Sequence, residues 1–288
     1  MSFAMRSKLF VPAIRPELFA KALASAADAI SIDLEDAVPE SRKEEARNEV
    51  GRFLSSPALR GCTKQIIVRV NAAGTPHFLA DLHALTGSVV HMLNLPKPQS
   101  AGDVRAAIQA MDAAHLAADT TVLANIETPV ALRRAAEIAG AHPRVVGLQL
   151  GLGDLFEPAG IDRRTAANVH AAMFQLSLAA AETGIFCCDG AYPNVKDVTG
   201  FRAEAAMAHA LGFVGKSCIH PSQIAMANEI FQPDPAQIEQ ARRIVSAADA
   251  AAASGRAAFL VDGQMIDPPF LQRARRLLLS VQGKQSSP

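Results

Sequence analysis

Two acidic side chains with the chemistry to bind a metal ion each follow a short apolar run of the chain. Glu127 comes directly after the run 122–126, and Asp154 follows the run 145–150 through a glycine turn. Neither acid has a basic residue beside it, and Mg²⁺ is commonly bound by one or two carboxylates together with water and substrate oxygens. The spacing therefore predicts a magnesium site at Glu127 and Asp154. The alternative is that each acid only stabilises the N-terminus of the next helix.

Further ionisable side chains stand at the ends of other apolar runs. Glu35 and Asp36 follow the run 29–34, and Arg69 and Lys97 stand at the ends of the next two runs. Either acid can anchor a basic side chain or a metal-bound water. Arg69 offers a planar fork that matches a carboxylate, whereas Lys97 offers a point charge. Together these residues suit an anionic substrate, and the alternative is a purely structural ion pair.

The elements that position these side chains are the apolar runs themselves. Continuous apolar runs of about 4–8 residues are typical of strands buried on both faces. They alternate with alanine-rich segments of helical spacing, for which Pro16, Ser100 and Thr128 supply start signals. We predict an α/β fold, a TIM (β/α)8 barrel with its site after the strands, and an open doubly wound sheet is the alternative. The predicted strands lie near 8–11, 29–34, 65–70, 90–95, 121–126, 145–150, 184–188 and 213–219.

The pattern changes after His220 and Pro221. A helix is predicted at 235–253, followed by a glycine break and a last helix beyond Pro268. We divide the chain into a barrel, residues 1–222, and a C-terminal helical extension, residues 223–288. His220 could contact a ligand, but a structural role is at least as plausible for a histidine at a strand end. The other histidines show no paired metal spacing.

Composition narrows the class of partner. The chain of 288 residues has 28 basic and 28 acidic side chains, and its pI is near 7.1. No global charge favours nucleic acid or an anionic membrane, so a small-molecule partner is expected. We also predict a cytoplasmic protein, because no apolar stretch approaches the roughly 20 residues of a membrane span and no signal peptide is recognisable. The four cysteines lack C-x-x-C spacing, which predicts reduced thiols.

Three other enzyme classes are excluded by incomplete motifs. The glycines at 212 and 215 are separated by two residues rather than the four of a phosphate loop, and the apolar strand follows them. Gly151 and Gly153 lack the third glycine of a dinucleotide fingerprint. The nucleophile elbow G-x-S-x-G of serine hydrolases is absent.

Several ordered motifs resemble one known family, the citrate lyase β-chain and malyl-CoA lyase family. The similarity spans nearly the whole chain. The motifs are RSKLFVP from residue 6, DLEDAV from 33, VRVN from 68, LPK from 95, IET from 126, DGAYP from 189, GKSCIHPSQ from 215 and MID from 265.

The resemblance implies a Mg²⁺-dependent TIM-barrel lyase. Such an enzyme cleaves a 3-hydroxyacyl-CoA ester, for example malyl-CoA or citramalyl-CoA, into an acyl-CoA and a 2-oxo acid, or forms it. The alternatives are the β subunit of a multi-subunit citrate lyase, acting on a citryl thioester of an acyl carrier protein, and a catalytically silent barrel that binds CoA or a 2-oxo acid. A silent barrel would require a lost ligand or acid.

The resemblance also assigns roles to residues. The family's metal ligands fall on Glu127 and Asp154, its carboxylate- and oxyanion-binding arginine on Arg69, and its general acid/base on Asp267. The acidic pair of the family falls on Glu35 and Asp36, and Lys97 is expected to bind substrate. In the family the C-terminal segment acts as a lid on a neighbouring subunit's barrel, which implies a homo-oligomer, a trimer or a multiple of three.

The first loop is associated with CoA binding in the family, and Arg15 and Lys21 are the expected contacts. This chain has Ala13 and Ile14 where the family often has glycine and a polar residue. It also departs from the usual pattern at Gly153, where a carboxylate is common, and at Gln264, where lysine is usual.

Overall fold

The computed structural model describes residues 5–253 and 258–282. Eight parallel strands form a closed barrel in which each strand pairs with the next along the chain. They are β1 (Ser7–Pro12), β2 (Ala29–Asp33), β3 (Gln65–Arg69), β4 (Met92–Leu95), β5 (Thr121–Ile126), β6 (Val145–Leu150), β7 (Phe186–Asp189) and β8 (Gly215–Cys218). The predicted TIM barrel is confirmed, and the pairing of β8 with β1 rules out the open sheet.

Helices follow the strands and cover the barrel. They are α1 (Phe19–Ala24), α2 (Lys43–Leu54), α3 (His77–Ala84), α4 (Ala101–Ala113), α5 (Pro129–Arg133), α6 (Ala135–Ala139), α7 (Leu152–Phe156), α8 (Ala166–Thr183), α9 (Val198–Ala210) and α10 (Ser222–Ile230). Strand residues alternate between two apolar clusters because successive side chains point to opposite faces. In β2, Ile30 and Ile32 belong to the large cluster beneath the helices, whereas Ala29 belongs to the small cluster inside the barrel.

Two of the predicted helix start signals form side-chain caps. Ser100 Oγ accepts a hydrogen bond from the Asp103 amide at 3.2 Å, and Asp103 Oδ2 accepts one from the Gln99 amide at 2.8 Å. Thr128 Oγ1 accepts one from the Ala131 amide at 3.1 Å. These caps begin α4 and α5 shortly after β4 and β5, so the residues between strand and helix are held in short loops.

The chain forms two compact units, of which the barrel unit is Met5–Phe231. It includes α10, which the division at residue 222 had assigned to the extension. The second unit begins at Gln232 and contains α11 (Pro235–Ala253), an antiparallel hairpin of β9 (Phe259–Val261) and β10 (Gln264–Ile266), and α12 (Pro268–Gln282). Its own core contains Ile244 and Ile266.

The hairpin was not predicted from the sequence. Asp262 and Gly263 connect its strands with φ angles of 50° and 80°, the pair of positive values that a tight two-residue hairpin turn requires. In the described ranges 5–253 and 258–282, no helix is long and apolar enough to cross a membrane. All four cysteines are free thiols, as expected.

Candidate active site at the barrel mouth

A buried ion pair fixes Arg69 at the carboxyl end of β3. Asp33, at the end of β2, is its register partner. Arg69 donates from Nε to Asp33 Oδ1 at 2.7 Å and from Nη2 to Asp33 Oδ2 at 2.6 Å. Burial opposes the charge of Arg69, but the hydrogen bonds and the negative charge of Asp33 outweigh it and raise the pKa of Arg69. The bidentate pair holds the guanidinium plane in one orientation.

The acidic pair lies between two cations. Arg69 Nη1 is 3.0 Å from Glu35 Oε2 and 3.2 Å from Asp36 Oδ2. Lys97 Nζ is 3.3 Å from Glu35 Oε1 and 3.9 Å from Asp36 Oδ1. Burial raises the pKa of Glu35, and the charge of Arg69 opposes this increase. The structure therefore brings together the four side chains that ended three separate runs in the sequence.

Lys97 connects the acidic pair to the predicted metal ligands. Its backbone amide donates to Glu127 Oε1 at 3.0 Å, and its ammonium group lies 2.8 Å from Asp154 Oδ2. Its φ angle is 54°, an uncommon left-handed conformation for a residue other than glycine. The surrounding carboxylates outweigh burial and raise the pKa of Lys97.

Glu127 is a buried carboxylate in an acidic neighbourhood. Its side chain packs closely on Gly151, where a Cβ atom would lie 2.6 Å from Glu127 Oε2. Burial, together with the charges of Glu35 and Asp154, raises the pKa of Glu127 to about 8. Asp154 is more exposed and lies in the first turn of α7.

This donor set fits a magnesium ion. All the candidate ligand atoms are carboxylate oxygens, and the like charges that raise the pKa of Glu127 are those that a divalent cation would neutralise. Over residues 5–253 and 258–282, no three histidine, cysteine, aspartate or glutamate side chains are grouped as a metal site. Two carboxylate ligands are consistent with Mg²⁺, which usually binds one or two protein carboxylates and keeps several water ligands.

The expected CoA contacts lie apart from this network. Arg15 is exposed on the loop after β1 and forms an ion pair with Glu17. Lys21 is exposed in α1. In the contacts described for these two side chains, neither joins the ion pairs of the mouth. Their role in binding CoA stays a prediction.

Asp267 lies in the C-terminal unit, between β10 and α12. Its backbone carbonyl accepts a hydrogen bond from the Leu271 amide at 3.1 Å. Its Oδ1 atom is buried and has no hydrogen-bond partner in the described part of the chain. His220, by contrast, is exposed, and its ring Nδ1 is 2.8 Å from Ser222 Oγ at the start of α10.

Two features of the site were missed from the sequence. Asp33 is one of them, although a charged residue inside an apolar run is itself a signal. Lys43, at the start of α2, is buried and donates to the carbonyls of Leu34 and Glu35, each at 2.7 Å. It also donates to Asn71 Oδ1 at 2.6 Å, so it fixes the backbone that carries the acidic pair.

Fold and site together define a class of protein, the (β/α)8-barrel enzymes with an acidic, arginine-containing mouth. Residues 6–221 match the HpcH/HpaI aldolase/citrate lyase family, and the chain belongs to this family. The predicted family and its class of reaction, that of carbon–carbon lyases, are confirmed.

Three similar proteins cover almost the whole chain. A citrate lyase subunit beta-like protein of Deinococcus radiodurans is 37% identical over 281 residues, 95% of this chain and 96% of the relative. A (3S)-malyl-CoA thioesterase of Cereibacter sphaeroides is 36% identical over 280 residues, 95% of this chain and 93% of that protein. The crystal structure of CitE from Mycobacterium tuberculosis in complex with magnesium, acetoacetate and coenzyme A is 36% identical with a TM-score of 0.75, covering 98% of this chain and 100% of the other.

Proposed function

We propose that the chain is a Mg²⁺-dependent lyase that cleaves, or forms, a 3-hydroxyacyl-CoA ester such as malyl-CoA or citramalyl-CoA. The products of cleavage are an acyl-CoA and a 2-oxo acid. The observation that carries this proposal is the fixed guanidinium of Arg69, which contacts Glu35. Glu35 in turn contacts Lys97, and Lys97 contacts both Asp154 and Glu127. The similar CitE structure, which contains magnesium, acetoacetate and coenzyme A, supports it.

Cleavage requires three changes in the substrate. The hydroxyl group loses its proton, the electron pair of the C2–C3 bond moves into the thioester as an enolate, and the hydroxyl carbon becomes the carbonyl of the 2-oxo acid. Bound at Glu127 and Asp154, Mg²⁺ would supply Lewis-acid stabilisation of the developing negative charge. Arg69 and Lys97 bind the substrate carboxylate, and Arg69 also stabilises the oxyanion.

Two acidic groups move protons in this proposal. Glu35 accepts the hydroxyl proton, a role favoured by burial, which raises its pKa, and Asp36 supports it from the same loop. Asp267 protonates the enolate carbon, or deprotonates the acyl-CoA in the reverse direction. Its Oδ1 atom, buried and without a partner in the described residues, supports an assignment to chemistry rather than to a structural ion pair.

The proposed assembly rests on the same family properties, whereas the proposed location rests on the sequence alone. We propose a cytoplasmic homo-oligomer, a trimer or a multiple of three, in which Asp267 serves the barrel of a neighbouring subunit. Arg15 and Lys21 bind the CoA phosphates. Mixing inactive Asp267→Asn and Glu127→Ala chains tests the shared site: mixed oligomers are expected to regain part of the activity, and no rescue in confirmed mixed oligomers refutes sharing.

The reaction is tested with the purified chain, Mg²⁺ and a panel of malyl-, citramalyl- and citryl-CoA, by measuring 2-oxo acid release. Turnover of one ester is expected, and no turnover of any would refute the proposal. Asp267→Asn is expected to abolish turnover while Mg²⁺ and 2-oxo acid binding persist. Loss of metal binding in that variant would contradict its role as acid/base.

Two other activities are suggested by the names of the relatives. The Cereibacter relative is named a thioesterase, and release of free CoA thiol without a 2-oxo acid would identify hydrolysis instead. The Deinococcus relative is named citrate lyase subunit beta-like. Turnover only with a citryl thioester of an acyl carrier protein would identify that subunit function, and binding without any turnover would identify a silent barrel.

A further inference from the structure

The interior of the barrel below the mouth is unusually polar. Side chains two residues apart on a strand face the same side. Ala29, Met92 and Leu123 belong to the apolar cluster inside the barrel. The side chains two residues further along β2, β4 and β5 therefore also point inward, and all three are polar. They are Ser31, Asn94 and Asn125, all buried.

The strand register places polar residues from alternate strands at one level. In the closed barrel, residues at one height are found by moving from a residue to its register partner on the next strand and then one residue further along. Starting at Lys8 on β1, this path passes through all eight strands and returns to Lys8. The level just above Lys8 is contributed by the even-numbered strands. It consists of Ser31, Asn94, Gln149 and Ser217, which we name the polar layer. Branched apolar residues are the usual occupants of such a layer.

Much of this layer has no protein partner. Ser31 Oγ and both polar side-chain atoms of Asn94 have none in the described residues, and the same holds for both atoms of Asn125, one level higher. Buried amide and hydroxyl groups of native proteins are almost always paired with protein or with ordered water. Serine and asparagine also leave more room than the leucine or isoleucine that normally fills a layer.

A buried cation lies directly beneath. Lys8 is fully buried, donates a hydrogen bond to Gln149 Oε1, and lies 4.6 Å from the ring centroid of Phe10. Ser217 Oγ donates to the same Gln149 oxygen at 3.4 Å. An ammonium has three donors, and the hydrogen bond to Gln149 uses one of them.

The electrostatic surroundings of Lys8 are mixed. Burial lowers the pKa of Lys8 to about 8, the charges of Cys188, Asp33 and Glu127 act to raise it, and that of Arg69 acts to lower it. Five carboxyl groups lie in the mouth above, namely Asp33, Glu35, Asp36, Glu127 and Asp154. Even with Glu127 protonated, the other four outnumber the cations Arg69 and Lys97 there. An anion in the interior would be repelled by this excess negative charge.

We propose that the polar layer, together with Asn125 one level above it, is a buried hydration site in which Ser31, Asn94 and Asn125 bind a cluster of ordered water molecules. These waters solvate the Lys8 ammonium, which thereby remains inside the barrel as a fixed counter-charge beneath the acidic mouth. Waters fit because each needs two to four polar partners and can both donate and accept. Lys8 is a positioning residue in this view, since it acts on the mouth only through its charge.

The first test is a high-resolution crystal structure of the full chain, with a parallel crystal soaked in bromide. Ordered water within hydrogen-bond distance of Asn94, Asn125 and Lys8 is expected. Amides paired with each other around a dry interior would overturn the proposal, and so would an anomalous bromide peak at Lys8. This test needs neither activity nor metal, so its failure is distinct from failure of the proposed lyase function.

The second test measures the charge of Lys8 by NMR of the ¹⁵N-lysine-labelled chain in mildly acidic buffer, with Lys8→Met to assign the signal. An ammonium signal is expected for Lys8. Asn94→Leu, which removes polar partners of the water and also occupies more of the space in the layer, is expected to shift or abolish that signal. A neutral amine in the wild-type chain, or an unchanged ammonium in folded Asn94→Leu, would refute the role of the waters.

Discussion

The raised pKa of Glu127 predicts an unusual loss of stability at alkaline pH in the metal-free protein. The pKa of Glu127 rises from 4.5 to about 8 on folding, chiefly through burial. Between these values the folded chain holds a proton that the unfolded chain has lost. Stability therefore falls as pH rises through this window, the reverse of the usual carboxylate behaviour.

The magnitude follows from the two pKa values. Between about pH 6 and about pH 8.5, the linkage relation gives a loss of about 2.5 kcal/mol in the free energy of unfolding. For a unit the size of the barrel, this corresponds to a decrease in Tm of about 5–10 °C. Glu127→Gln, which cannot ionise, is expected to lack this part of the pH dependence. Glu44→Gln, on the exposed surface of α2, is the matched control and is expected to keep it.

Urea unfolding at both pH values measures the difference, followed by far-UV circular dichroism and by the fluorescence of Tyr192. Tyr192 is the single tyrosine of a chain without tryptophan, and its pKa is raised to about 12 by its hydrogen bond to Asp197 and by burial, so it stays neutral in both buffers. Saturating Mg²⁺ at the higher pH should stabilise the wild-type chain by about 2.7 kcal/mol at a hundredfold excess over Kd. Equal pH dependence in wild type and Glu127→Gln would refute the reasoning.

Three further changes test the mouth. Asp154→Asn is expected to weaken Mg²⁺ binding at least about tenfold in calorimetry; unchanged affinity would remove Asp154 from the ligand set. Asp33→Asn breaks a buried ion pair with Arg69 and is expected to lower the free energy of unfolding by about 3 kcal/mol. This is the lower end of the range for such pairs, because Arg69 keeps its other acidic contacts. A decrease below about 1 kcal/mol in urea unfolding would contradict this. Gly151→Ala places a Cβ 2.5 Å from that of Glu127 and is expected to destabilise the chain by about 1–3 kcal/mol and to weaken Mg²⁺ binding, whereas unchanged melting and binding would show that the contact yields without cost.

The barrel could be predicted because its strands are uninterrupted apolar runs that alternate with helical segments. The same pattern predicted that Glu127 and Asp154 lie at the same end of the barrel, since the carboxyl ends of all parallel strands face the same way. The position of Lys97 at the same end could be predicted for the same reason. Its backbone hydrogen bond to Glu127 could not, because nothing in the sequence indicates a positive φ angle at a lysine.

Pairwise register limits what sequence can predict. The bidentate ion pair between Asp33 and Arg69 depends on the register of β2 against β3, which is a tertiary property. The hairpin at Asp262 and Gly263 is different, because an aspartate–glycine pair between short apolar stretches is a recognisable turn signal that was not used. The polar positions Ser31 and Asn94 were also visible as interruptions of apolar runs, but their shared level required the closed barrel.

Barrel closure has a consequence for how the chain matures during synthesis. The closing contact joins Ser7 to Lys216, residues at opposite ends of the barrel unit, so the ring of strands stays incomplete until β8 has left the ribosome. The C-terminal unit is translated afterwards, and domains generally fold in order of synthesis. The barrel mouth with Glu127, Asp154 and Arg69 can thus fold before Asp267 has been synthesised.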